Sequence, residues 1–145
     1  MEAAELAKGG TSGFLNLTVC RAKLTHNTET FGAMDPYVKW VWQKKNFHTT
    51  TETDAGKEPV WQETFKLAIT DFMNGDKIKF EVMDENIMKD ALIGACDIPI
   101  TDLVGKSGKV KVSLLYKNLD AGFIIFAPTW EHQDLKSIEK ETKKA

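Results

Sequence analysis

Two short acidic segments stand where alternating runs of residues begin or end. Asp35 comes just before the run that starts at Tyr37. Asp84 closes the run Phe80–Val82 and opens the segment Asp84-Glu85-Asn86-Ile87-Met88-Lys89-Asp90. Carboxylates brought face to face by two loops repel unless a cation lies between them. The donors here are hard oxygens without His or Cys beside them, which suits calcium over zinc or copper. An acid in a turn is more commonly just solvated, so these segments gain meaning only from their surroundings.

The same loops carry apolar side chains. Phe31 and Met34 fall in the first, and Ile87 and Met88 fall at the tip of the second. Exposed apolar tips suit shallow insertion among lipid headgroups. The alternative is packing over the loop base or against a protein partner. Lys39, Lys44 and Lys45 could face anionic lipid, or simply protect a solvated strand edge. Catalysis has no foothold: His26, His48 and His132 belong to no paired motif, and neither Gly-x-Ser-x-Gly nor a P-loop occurs. No catalytic residue is assigned.

The 145 residues suffice for one domain with a substantial core, and 42% apolar with 28% charged residues is an ordinary soluble balance. A formal charge of −2 argues against a nucleic-acid partner held by general phosphate attraction. No apolar run approaches the roughly 18 residues of a spanning helix. The acidic start Met1-Glu2-Ala3-Ala4-Glu5 reads as neither signal nor transit peptide, and neither end carries a lipidation motif. Any membrane contact is therefore expected from the side and reversible. Cys20 and Cys96 lack metal or redox spacing and fall in strand-like segments, so they read as buried thiols in a reducing, cytoplasmic setting.

The elements that must position the loops follow from period-two alternation. Residues 1–12 end in Gly9-Gly10-Thr11-Ser12 and read as a flexible leader. Leu15, Leu17 and Val19 share one strand face; Val38, Trp40 and Trp42 share another. Lys44-Lys45-Asn46 reads as a turn before a Thr-rich, β-favouring stretch from Phe47 to Thr53. Phe65, Leu67 and Ile69, then Ile78, Phe80 and Val82, continue the pattern, with a turn at Asn74-Gly75 between them. Ile93–Ile100, Lys109–Leu115 and Gly122–Thr129 complete about eight strands. That number of short strands, with turns at this spacing, predicts an all-β, eight-stranded antiparallel β-sandwich over residues 13–130. Residues 131–145 form a charged, self-balancing tail in which Leu135 and Ile138 could lie on a short helix.

Four blocks occur in order: Met34-Asp35-Pro36-Tyr37-Val38-Lys39, Pro59-Val60-Trp61-Gln62-Glu63-Thr64-Phe65, Phe80-Glu81-Val82-Met83-Asp84-Glu85-Asn86 and Leu92-Ile93-Gly94. Together they resemble the C2 domain family, the calcium- and phospholipid-binding β-sandwich of protein kinase C and synaptotagmin. The likeness spans about Gly13 to Trp130 and is nearest to small single-C2 proteins such as plant elicitor-responsive proteins. It implies a phospholipase-type strand order, because the first strand leads directly to Asp-Pro-Tyr-Val.

The resemblance also implies a ligand set. The second acid of the family's first loop falls on Asp35, and the first falls on Glu29, a Glu for the usual Asp. The Asp-x-Asp pair of the third loop becomes Asp84 and Asn86, which keeps an oxygen but drops a charge. The last family Asp falls on Ala91, so Asp90, one place earlier, is its candidate substitute. Fewer carboxylates mean weaker calcium binding, so the cofactor expected is calcium at a weak site, or none. The function this implies is peripheral docking on an anionic phospholipid surface with weak or conditional calcium dependence. The alternative is a calcium-independent protein-interaction module or a small subunit of a larger assembly.

Overall fold

Strand formation follows the alternation. Leu15, Leu17 and Val19 are buried while Asn16 and Thr18 between them stay partly exposed, and Ile78, Phe80 and Val82 repeat this on another strand. The computed structural model describes residues 11–72, 75–106, 108–134, 136–138 and 140. Eight antiparallel strands run β1 (Thr11–Leu24), β2 (Pro36–Trp42), β3 (Lys45–His48), β4 (Val60–Phe72), β5 (Lys77–Asp84), β6 (Ala91–Pro99), β7 (Val110–Tyr116) and β8 (Leu119–His132). Their spatial order is β3-β2-β5-β6-β7-β8-β1-β4. Between β6 and β7 only Ala95 and Leu115 pair, so the sheet folds there into two four-stranded layers around one core. The first strand leads straight to Asp-Pro-Tyr-Val and is flanked by the last, the phospholipase-type order expected.

The two motif blocks meet physically. The Trp61 indole N–H donates to the Pro36 carbonyl at 3.2 Å, tying the start of β4 to the start of β2 across the sandwich. Trp40 sits among Phe47, Phe65 and Phe80, with ring centroids 4.9 to 5.5 Å away, and Phe80 reaches Phe126 at 4.7 Å. Such aromatic contacts add to the area buried. The cost is that the Trp40 N–H finds no acceptor among the described residues. Cys20 and Cys96 are buried as expected, and burial pushes the Cys96 thiol up to about 12.

Several boundaries differ from the sequence reading. β1 starts at Thr11, so Thr11 and Ser12 belong to the sandwich: Thr11 pairs with Phe72, and Ser12 accepts a hydrogen bond from the Gln133 N–H. The rest of the leader lies outside the described residues. The turn before β3 is made by Gln43 and Lys44, whose positive φ of 48° and 66° match a tight two-residue hairpin, so Lys45 and Asn46 pair in the strand. The Thr-rich stretch leaves the sheet after His48 because its hydroxyls are otherwise engaged. Thr49 Oγ1 accepts from the Val38 N–H, and Thr50 donates to Glu63 through both backbone and side chain. Ile100 opens a short 3-10 turn, Ile100–Asp102, instead of ending a strand. Glu131 and His132 complete β8, and Lys136–Ile138 is helical with Ile138 buried. Asn74 of the expected turn lies outside the described residues.

Two glycines carry close approaches. Gly94 sits beside a β6 irregularity, where a Cβ would meet Ala121 and Leu114 at 3.0 and 3.2 Å. Gly122 has φ +110°, and a Cβ there would lie 2.0 Å from the Lys23 carbonyl oxygen. Gly122→Ala is expected to cost about 2–4 kcal/mol, read as a lowered midpoint in urea with unchanged slope.

Candidate functional site

Strand direction gathers four connections at one end: residues 25–35, 49–59, 85–90 and 117–118. Asp35 and Asp84 close the mouths of the first and third of these, because Pro36 pairs with Asp84 across β2 and β5. Pro36 fixes the extended entry to β2, and the Glu85 N–H donates to the Asp35 carbonyl at 3.0 Å, fastening the two loops together.

The carboxylates are arranged in depth. Asp84 is fully buried, its Oδ1 accepting the Asp35 N–H and its Oδ2 the Thr28 hydroxyl, both at 2.7 Å. Asp35 turns its Oδ1 to the Asp54 N–H of the neighbouring loop at 2.7 Å. Glu29 lies above them. Its hydrogen bond with Asp84, then the Asp84 and Asp35 charges, raise its pKa above the ordinary 4.5. Glu29, Asp35 and Asp84 are thus brought together as an acidic nest.

Asp90 and Asn86 are not part of that nest. Asp90 accepts the Tyr37 hydroxyl through Oδ2 and the Asn86 N–H through Oδ1, and these bonds, the tyrosine's first, hold its carboxyl below the usual range. Burial, then the same bond, raises the Tyr37 hydroxyl, which stays a neutral donor. Asn86 gives its side-chain NH₂ to the Lys89 carbonyl, so it braces its own loop. Consistent with this division, no group of three or more His, Cys, Asp or Glu among the described residues has metal-holding geometry. The fit to calcium is partial. The donor chemistry is right at Glu29, Asp35 and Asp84, but Asp84 already serves as an internal acceptor and the third-loop acid points elsewhere.

The apolar candidates divide as well. Phe31, Ile87 and Met88 are 88, 102 and 94% exposed, at the tips of two neighbouring loops. Met34 is a correction: it is 1% exposed and belongs to the core, its sulfur receiving the Thr28 N–H at 3.5 Å under the first loop. Among the lysines, Lys39 lines a groove of about 490 Å³ on the outer face of β2 and β5, together with Tyr37, Val41 and Lys79. Lys44 and Lys45 lie at the β2–β3 hairpin, the opposite end from the tips, so an end-on contact cannot use them. Their place follows from β2 running the depth of the sheet. Lys57 and Lys89 are exposed at the loop end instead; adjacency to Met88 is the signal for Lys89.

The Glu29 proton gives a pH signature. Because its folded pKa is raised, the folded state holds this proton more tightly, so its contribution to stability falls as pH rises from 4.5 through the raised value. Glu29→Gln is expected to flatten that decline and to raise the melting temperature near neutral pH in chelator. Melting curves across pH check it.

The architecture is a two-layer antiparallel sandwich whose loop end is acidic and apolar-tipped. The chain belongs to the C2 domain family, whose model matches residues 13–115. It is 32% identical over 99 residues to Elicitor-responsive protein 1 of Oryza sativa subsp. japonica, covering 64% of this chain and 62% of that one. It is 28% identical over 104 residues to a calcium-dependent lipid-binding protein of Arabidopsis thaliana, covering 71% of this chain but 20% of that protein. The chain therefore spans less than two thirds of these relatives. Among solved structures, a C2 domain of plant Extended Synaptotagmin 1 superposes with a TM-score of 0.74 at 18% identity, covering 86% of this chain and 98% of that one. A C2 domain-containing protein described as the product of an elicitor-responsive gene gives 0.70 at 20% identity, covering 88% and 94%. At these identities the structures speak for the fold alone.

Proposed function

We propose that this chain is a cytoplasmic module that docks peripherally on anionic phospholipid membranes through its loop end. The observation that carries this reading is the near-complete exposure of Phe31, Ile87 and Met88 around the acidic nest. Apolar side chains presented on loop tips enter the headgroup region, while Lys57 and Lys89 meet lipid phosphates. A calcium ion between Glu29 and Asp35 would cancel the repulsion between their carboxylates. Its binding is weak, because Asp84 is spent on Thr28 and Asp35 and Asp90 on Tyr37. The relatives' printed roles, calcium-dependent lipid binding among them, support docking of this kind. Among the described residues no helix is long and apolar enough to cross a membrane.

Sedimentation with phosphatidylserine vesicles, in calcium and in chelator, tests the reading. Pelleting in calcium with less in chelator is expected, and no pelleting in either condition would overturn it. A second reading is favoured by the saturated hydrogen bonds of Asp84, which let the loop end stand without any ion: a calcium-independent protein-interaction module. Calorimetry with calcium alone separates the two, since that module gives no heat.

A further inference from the structure

The part of the outer face of β7, β8 and β1 nearer the loop end is cationic in a chain whose formal charge is −2, whereas Glu131 lies further along that face beside Asn16. Ile124 and Phe126 point into the core, so Phe123 and Ile125 face outward. Register places Lys111 and Arg21 on either side of Ile125, and Ser113 and Lys23 on either side of Phe123. The charged heads converge: the Lys111 Nζ lies 4.2 Å and the Arg21 guanidinium carbon 5.9 Å from the centroid of the same Phe123 ring. Two like charges held on one ring lie within on the order of 10 Å, about one Debye length, and are incompletely screened from each other.

None of Arg21, Lys23 and Lys111 has an ion pair with a carboxylate among the described residues. The nearest acid by register is Glu58, opposite Lys23 at the loop end, because Ala22 and Leu24 donate to the carbonyls of Pro59 and Lys57 on either side of it. The Arg21–Lys111 row has no such neighbour, and its flank is Val60, 52% exposed.

We propose that this face docks an acidic protein segment carrying an apolar or aromatic residue. Charge complementarity sets the sign of the partner. An aromatic residue under an arginine matches the aromatic and arginine enrichment of protein interfaces, and Lys111 adds to the charge that selects an acidic partner. A bilayer fits less well, because Phe123 and Ile125 are half-buried in the sheet under the cations and do not protrude as Ile87 and Met88 do. Docking here is independent of the loop end, and a membrane-bound molecule keeps the face accessible.

The test is a fluorescence-anisotropy titration of the full chain with a labelled peptide of repeated Glu-Glu-Phe, mapped by ¹⁵N–¹H shift changes. Saturable binding is expected, with shifts concentrated at Arg21, Lys23, Lys111, Phe123 and Ile125. Arg21→Glu/Lys111→Glu is expected to weaken it on the order of tenfold or more, while Lys39→Glu/Lys45→Glu stays within about twofold. Should the reversal variant fail to melt cooperatively, Arg21→Gln/Lys111→Gln replaces it with the same expectation. No saturable binding, equal loss in the Lys39/Lys45 variant, or shifts elsewhere would overturn the proposal. So would loss of phosphatidylserine-vesicle pelleting with peptide binding intact in the Arg21/Lys111 variant, which would assign the face to lipid.

Discussion

Asp84→Ala is expected to destabilise the chain by about 2–4 kcal/mol, a melting shift of roughly 6–12 °C. The removed carboxylate is fully buried and is the acceptor for both the Thr28 hydroxyl and the Asp35 N–H, so truncation leaves two donors without partners. It also uncouples the first loop from β5 and removes the charge under Glu29. Asp84→Asn separates these effects. The amide keeps one acceptor and most of the shape, so it should lose less than half as much stability while weakening any calcium response, because one negative charge beneath Glu29 and Asp35 is gone. Thermal melts with calcium and with chelator measure both. A melt unchanged in Asp84→Ala would mean that Asp84 is not the internal strut described here.

The second large effect belongs to the loop tips. Ile87→Asp/Met88→Asp is expected to weaken binding to phosphatidylserine vesicles by about 30-fold or more, since each lost insertion is worth about 1–1.5 kcal/mol, half of full side-chain burial. Stability should be unaffected, because both side chains are exposed in the free protein. The contrast with Asp84 is the point of the pair: one change breaks the scaffold, the other only the docking surface. Vesicle sedimentation beside thermal melts distinguishes them.

What can be read from the sequence tracks how local the determinant is. Alternation gives each strand its buried face, and the two tryptophan- and proline-bearing motifs are legible because one hydrogen bond, Trp61 to Pro36, ties them together. Exposure at Ile87 and Met88 is legible too, since a six-residue excursion from a paired base leaves its tip unsupported. Met34 is not. It lies one residue from Asp35, and only the path of the first loop, which folds Thr28 back over its sulfur, decides that it faces the core. Asp90 stands near Asp84 in sequence, but the Tyr37 hydroxyl on another strand draws it away. Proximity along the chain groups Lys44 and Lys45 with Lys39, although a β-strand carries them to the far end. Each of these depends on a partner distant in sequence, which periodicity does not report.

The central claim is that the loop end, and not a sheet face or the hairpin end, meets the membrane. Cys20 and Cys96 are buried, and the Cys96 thiol is held protonated by burial, so an introduced surface cysteine can be labelled selectively. An environment-sensitive fluorophore at Met88→Cys should shift to the blue on adding phosphatidylserine vesicles with calcium, while the same label at Lys44→Cys should not respond. A silent label at position 88, or a shift at position 44 instead, would contradict the account.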